Sequence, residues 1–352
     1  MISIKGLNKD YFKLMLGFIF SALTAPLLTS VDTAVVGQLS NPAFIGGVAL
    51  GGTIFNTMYW LLGFLRVSTS GYSAKAYGLQ NEKEEMFALV RPTTVSIVLG
   101  MLFWIIQTPL LKAAASFYKT SAEIIYYMEV YYRILIWGAP FVLLNYTFLG
   151  WIMGRRQLKE CLMLQLTTNF TNIFLDFFFV RGLNMNVEGV AYATLIARVF
   201  SVIFLYIVMK RNSITRRYIN ELSFKVSLFK KEMFQTLLKL GLPTAMQLFF
   251  EVTAFALAAF ICGMVSTTDI AAHQVTISMA SFTFNLCAGF GVASTIMIGK
   301  KRGEKDFVGV REIGINNMKI VFLFMLISCL TFTIGKNVLP TFFTKEDETA
   351  VI

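Results

Sequence analysis

A succession of long apolar stretches leaves this chain few ways to fold. They lie at roughly residues 11–37, 45–74, 90–111, 123–153, 160–180, 188–209, 233–262, 270–299 and 311–335, nine in all, and each carries few charges. A helix needs about 20 apolar residues to cross the hydrocarbon, whereas a barrel strand needs only about ten. Every backbone N–H and C=O in hydrocarbon must find a partner inside the protein, so segments of this length point to helices. The chain is predicted to be an all-α polytopic membrane protein. Its composition fits: 56% of the 352 residues are hydrophobic and 14% are charged, with a mean hydropathy of +0.66. The opening MISIKGLNKDYFKLMLGFIFSALTA has the basic start and apolar body of a signal peptide. Because the apolar pattern continues through LLTSVDTAVVG and further stretches follow, it is read as the first membrane helix.

Loop charge sets the direction of threading. With the N-terminus in the cytoplasm, the inner segments hold twenty-one lysines and arginines, among them Arg155, Arg156, Lys210, Arg211, Lys300 and Lys301. The outer segments hold five, Lys112, Lys119, Arg181, Lys336 and Lys345. Positive residues favour the cytoplasmic side, which predicts a multi-pass protein of the cytoplasmic (inner) membrane with its N-terminus inside. The formal net charge of +11 then faces the lipid bilayer. No nucleic-acid partner is expected, since that would call for a clustered basic face and these residues are scattered among short loops. Cys161, Cys262, Cys287 and Cys329 stand singly in apolar segments, with no CxxC and no histidine at metal spacing, so neither a disulfide nor a structural metal is expected.

Residues 37–78 and 263–303 resemble each other at an offset of 225 or 226. Gly37 matches Gly263, IGGV from Ile45 matches IAAH from Ile270, Gly63 matches Gly289, and Ser68-Thr69 matches Ser294-Thr295. AYGLQNEKE from Ala76 falls against KRGEKDF from Lys301. Six spans separate the copies, so both cross in the same sense, related by an axis along the membrane normal. The predicted division is a six-helix N-lobe at 1–209, a basic cytoplasmic linker at 210–231 and a partial C-lobe of three helices at 232–352. Substrate sites in such repeats lie between the halves.

The run TNIFLDFFFV at 171–180 places a carboxylate, Asp176, inside a lipid-soluble segment. An ionisable residue there is costly and is a functional candidate by default. Asn172 precedes it by four residues, on the same helical face. Counting from the outer ends of their spans, Asp32, Asn172, Asp176 and Thr194 fall in one layer of the outer half. Two carboxylates, an amide and a hydroxyl can supply oxygen ligands to a small cation such as Na+, or share a proton if repulsion raises one pKa. The bland reading is that each is satisfied separately. Glu251, the acid deep in the second bundle, and Arg66 form a second polar candidate; each also reads as a structural residue, Glu251 as a hydrogen-bonder and Arg66 as snorkelling or bound to a carbonyl. His273 reads as a helix-end packing residue.

These residues carry a family likeness. SVDTAVVGQL, GFLRVSTSGYSAKAYG, NIFLDFFFV with VEGVAYATLIAR, and DIAAHQV together make the chain similar to the multidrug and toxic compound extrusion (MATE) transporters, in their DinF-like branch. The resemblance implies a MATE-like two-lobe bundle of twelve helices, an outward-opening cleft, and export of organic compounds coupled to inward movement of protons or sodium. It implies no cofactor beyond that coupling ion, no enzymatic activity, and action as a monomer on an organic small molecule, with cationic and amphipathic compounds among the candidates. Family members place an Asp on helix one, an Asn and Asp four apart on helix five, and a Thr on helix six at the first-lobe cation site, and Asp32, Asn172, Asp176 and Thr194 match. With nine spans, the chain reads as lacking helices ten to twelve. Two rivals are carried. A flippase for lipid-linked precursors shares the broad fold but calls for several basic residues in the cleft, where only Arg66, Arg133, Arg198, Lys239 and Lys319 are left. An intramembrane enzyme lacks any HExxH, GxSxG or GxGD pattern.

Overall fold

The computed structural model describes residues 11–17, 19, 35, 42–118, 120–211, 216, 231–265, 267–336 and 338–339. They are almost wholly helical. After the helical residues 11–17 come α1 (Pro42–Leu61), α2 (Phe64–Leu79), α3 (Glu82–Phe117) and α4 (Ala122–Leu135). A 3-10 turn at Ile136–Gly138 joins α4 to α5 (Ala139–Gly154). Then follow α6 (Leu158–Phe177), a π turn at Phe178–Gly182, α7 (Val187–Arg211), α8 (Lys231–Val265), α9 (Thr267–Gly303) and α10 (Phe307–Ile334). Among the described residues, seven continuous stretches are long and apolar enough to span a membrane. Most of the first predicted span lies outside the described residues. The helix α6 forms as expected, but its polar residues take it out of that set.

Two predicted spans are broken rather than smooth. The second, expected as one helix over 45–74, stops at Leu62 and Gly63, where Gly63 N–H donates to the Trp60 carbonyl at 3.0 Å before α2 resumes. The fourth is interrupted at the 3-10 turn, which tightens the chain opposite Trp104, whose indole donates to the Ile136 carbonyl at 3.2 Å.

The first half of the repeat has α2 at its centre. On one side it meets α5, where Gly150 and Gly154 let the backbones touch: a Cβ on Gly150 would stand 2.6 Å from the Arg66 carbonyl oxygen. On its other side it meets α9, and this contact is reciprocal. A Cβ on Gly78 would stand 2.1 Å from the Lys300 carbonyl oxygen, and one on Gly303 would stand 2.2 Å from that of Lys75. Gly78 and Gly303, like Lys75 and Lys300, are separated by the repeat offset of 225. Each copy therefore offers the same glycine to the same carbonyl of the other.

The turns that follow also match. Gln80 (φ 50°) and Lys305 (φ 61°) are left-handed, and each amide donates three residues back, to Tyr77 and Arg302. The next residues, Asn81 and Asp306, bond five residues back, to Ala76 and Lys301, completing a Schellman turn. Asn81 and Asp306 then cap the helix that follows, accepting from Glu84 N–H at 3.3 Å and Gly309 N–H at 2.9 Å.

Two apolar clusters divide the interior. One joins both parts of the chain, with Tyr11, Leu89, Trp151, Leu164 and Met209 packed with Phe290, Ile296 and Ile313. Its buried polar anchor is the Arg155–Glu85 ion pair at 2.7 Å, with the Trp151 indole donating to the Glu85 carbonyl and lying beneath the Arg155 guanidinium. The other cluster draws its buried residues from positions 35–191 alone, including Phe55, Tyr132, Ile136 and Val190. The two parts of the chain share a core at the end bearing the basic turns, and no such shared core forms at the opposite end among the described residues.

Candidate cation site in the membrane interior

A carboxylate survives in α6 because the helix has its apolar side outward. Phe170 and Phe174 are 70% and 68% exposed, whereas Asn172 and Asp176 are 2% and 0% exposed. A 3.6-residue period places the phenylalanines on one face and the polar pair on the other, so lipid sees the rings and the bundle interior holds the carboxylate.

The buried side is more polar than the sequence reading expected. Thr168, one turn before Asn172, has a buried hydroxyl with no hydrogen-bond partner among the described residues, and neither the nitrogen nor the oxygen of the Asn172 amide has one. An unmet buried amide costs about 1–3 kcal/mol, which marks a place shaped for something further. Thr168 escaped notice because a threonine in an apolar helix ordinarily satisfies itself on the carbonyl four residues back. Thr194 does so, donating to Val190 O at 3.0 Å. The four-residue spacing of Thr168, Asn172 and Asp176 was the signal available.

Asp176 stands two residues before the π turn, where Leu183 N–H reaches back to Phe178 O at 3.1 Å. Such widened turns recur at functional sites, because they re-aim side chains without ending the helix. Against this turn lies the start of α7: a Cβ on Gly189 would stand 3.2 Å from Phe179 Cβ and 3.4 Å from Val180 Cγ2. From that contact, Asp176 lies about 5 Å back along α6 and Thr194 about 7–8 Å onward along α7, at 1.5 Å per residue. The structure thus puts Asn172, Asp176 and Thr194 within about a turn of one level on two packed helices. Thr194 is half-buried.

Asp32 lies outside the described residues. Val35, three residues on, is buried in the same apolar cluster as Val180, Val187 and Val190. The second polar candidate does not assemble as one site. Glu251, half-buried on α8, has no ion pair or hydrogen bond with Arg66 among the described residues. The Arg66 guanidinium bonds no carbonyl there either, and instead lies 5.8 Å from the Tyr146 ring centre. His273 is half-buried near the start of α9. No group of three or more His, Cys, Asp or Glu side chains converges as a metal site among the described residues. Any cation held here would draw on amide and hydroxyl oxygens besides Asp176, a donor set suited to a hard monovalent ion or a proton.

The MatE family profile matches residues 18–178 and 243–352. DNA damage-inducible protein F of Escherichia coli K12 is 31% identical over 306 residues, covering 87% of this chain and 66% of that protein. A probable multidrug resistance protein NorM of Pasteurella multocida is 28% identical over 223 residues, covering 61% of this chain and 47% of the relative. The chain therefore spans about two thirds or less of the length of these relatives. Among solved structures, a MOP superfamily transporter from Pyrococcus furiosus superposes with a TM-score of 0.83 at 20% identity, over 97% of this chain and 75% of that one. An outward-facing multidrug resistance MATE transporter superposes with a TM-score of 0.80 at 22% identity, over 96% and 74%. Structural likeness at these identities speaks to fold, and the family assignment rests on the profile match and the Escherichia coli relative. This chain is a multi-pass membrane protein of the MatE family.

Proposed function

We propose that this protein exports organic compounds across the cytoplasmic membrane by alternating access, driven by a proton or sodium ion that enters at the Asp32, Asn172, Asp176 and Thr194 layer. The observation that carries the reading is the unmet amide of Asn172, buried one turn from Asp176 in a helix whose opposite face is phenylalanine. A cation there would receive the Asn172 oxygen and a carboxylate oxygen, lowering the cost of both buried groups at once. The reading has the N-terminus and the basic turns in the cytoplasm, and six-helix and partial lobes at 1–209 and 232–352. The shared apolar core then lies at the inner end, consistent with a cleft that opens outward.

In this scheme the cation neutralises the acidic layer and lets the first helix repack, with Pro26 as the point of bending. Pro26 and Asp32 are outside the described residues. The π turn after Asp176 gives α6 a second place to yield. A ligand biases two states only by its differential affinity, so the layer must hold the cation more tightly in one state than in the other. Nothing in this scheme calls for bond chemistry, and the protein is read as a transporter and not an enzyme.

The test is ion-driven substrate transport in proteoliposomes carrying Asp176→Asn. Transport driven by a proton or sodium gradient should fall at least about tenfold, the scale of losing one charge-assisted contact, while the protein still purifies as a monodisperse species. Undiminished gradient-driven transport would remove Asp176 from the coupling site. Asn172→Leu should weaken coupling in the same direction, and applying the two gradients separately identifies the ion.

A further inference from the structure

A different pair of charges lies deeper in the membrane-spanning region. Arg198 sits at the middle of α7, on the face it shares with Thr194 and Ser201 and opposite the lipid-exposed Tyr192, Ile196 and Phe200. Its guanidinium is 5.2 Å from the Tyr59 ring centre and 5.8 Å from that of Phe55, with one long hydrogen bond to Tyr59 Oη at 3.5 Å. Arg66, inside the apolar stretch Ala43–Leu79, lies over the ring of Tyr146. Phe55 and Tyr59 are buried in the cluster drawn from positions 35–191 and Tyr146 packs against it, so both arginines lie over aromatic rings of one apolar core.

Neither arginine has a carboxylate partner among the described residues. The contrast with Arg155 is direct, since that guanidinium is matched by Glu85 at 2.7 Å. Ring faces stabilise a cation by less than an unneutralised guanidinium costs near the bilayer centre. Each guanidinium also keeps several N–H donors, only one of which makes a hydrogen bond here, and only in Arg198. Both side chains are half-buried.

We propose that Arg66 and Arg198 form a subsite for the anionic head of an amphiphilic organic molecule, with Phe55, Tyr59 and Tyr146 as the wall for its apolar body. Guanidinium forks bind carboxylate and phosphate through paired hydrogen bonds, and the rings hold the charges in place before the ligand arrives. Arg198 is one turn from Thr194, so a bound anion and a bound coupling cation would occupy neighbouring sites along α7. As a transport subsite, this assignment rests on the export reading above. Its binding test needs no ion gradient, so failure of coupling and failure of the subsite give different results.

The experiment is equilibrium binding to the purified protein in nanodiscs, without a gradient. The probes are fluorescein, an anionic aromatic amphiphile, and tetramethylrhodamine methyl ester, a cation with the same ring system. Fluorescein should bind, and Arg66→Gln and Arg198→Gln should each weaken it by about tenfold or more, the effect expected for one charge-assisted contact. Arg198→Lys should recover part of that affinity, which a misfolded protein would not. The rhodamine should bind no more weakly to the glutamine variants than to the parent. Farnesyl pyrophosphate competing more strongly than fluorescein would support the subsite and identify a lipid-linked pyrophosphate as its source. Stronger competition by fluorescein would support it with a soluble organic anion. Fluorescein binding that ignores both glutamine substitutions would overturn the proposal, as would equal displacement of fluorescein by inorganic phosphate, since the apolar wall would then contribute nothing.

Discussion

The two copies of the repeat agree where their helices touch and differ where the membrane interior is polar. At the basic-turn end, Lys75, Gly78, Gln80 and Asn81 of the first copy reappear as Lys300, Gly303, Lys305 and Asp306, with the same backbone bonds and the same close approach. Deeper in, Arg66 has Val292 as its counterpart, and just past the turn the buried Glu85 that pairs with Arg155 has Val310. Backbone contact is a matter of shape, and two copies meeting across an axis impose it on both alike. Side-chain chemistry has no such partner across the axis and is free to diverge. The contact is therefore close to symmetric, while Arg66 and Glu85 belong to the first half of the comparison alone.

The sharpest way to break this comparison is at the first copy's buried ion pair. Arg155→Met leaves the Glu85 carboxylate buried without its partner, and should lower stability by about 3–5 kcal/mol, read as a large fall in the thermal unfolding temperature in detergent. Lys301→Met, which removes the second copy's more exposed pairing with Asp306 and Glu304, should change the same measurement by less than about 1 kcal/mol. Equal losses would mean that the two turns are held in the same way after all.

Next in size are the reciprocal glycines. Gly78→Ala and Gly303→Ala each force a methyl group against a backbone carbonyl that cannot swing aside. Each should destabilise by about 1–3 kcal/mol, by similar amounts, and the double variant should lose less than their sum because the first substitution already separates the helices. Gly52→Ala and Gly291→Ala, where a Cβ would meet nothing within 4 Å, should stay within about 0.5 kcal/mol of the parent. A large effect at Gly78 with none at Gly303 would break the reciprocity.

The smallest effect separates the two caps. Asn81→Ala should cost about 1 kcal/mol at any pH, because an amide does not titrate. The Asp306 carboxyl is held below the usual aspartate range by the Lys301 ammonium and the Gly309 N–H. Its contribution should be complete above the ordinary aspartate pKa and should disappear as pH falls through the lowered one. Thermal melts of Asp306→Asn against the parent should converge in strong acid and separate above it. A constant difference across that range would deny the carboxylate its role.

Much of the molecule was legible in advance. The helices of 90–111, 188–209 and 311–335 follow from length and apolarity alone, since hydrocarbon admits little else. The break at Leu62–Gly63 and the 3-10 turn at Ile136–Gly138 were not, because both sit inside unbroken apolar runs where hydropathy has no contrast to offer. Asn172 and Asp176 stood out as polar residues that the surrounding phenylalanines could not explain. Thr168 and the placing of Arg66 and Arg198 over rings of one apolar core were missed, since a threonine can satisfy itself within its own helix and the two arginines are far apart in the chain.

By itself, the sequence determined that this chain crosses the membrane many times as helices, and that a few polar residues must turn inward, because both follow from the cost of unpaired polar groups in hydrocarbon. Only the tertiary structure decided which of those residues meet. It brought the two glycines of the repeat into reciprocal contact, packed the start of the helix that carries Thr194 against the π turn that follows Asp176, and laid Arg66 over Tyr146 and Arg198 over Phe55 and Tyr59, with no bond from Glu251 to Arg66 among the described residues. The reason is physical: burial is an energy that each residue carries locally, whereas a contact depends on the rotation and crossing of helices distant in the chain, fixed by the packing of all of them together.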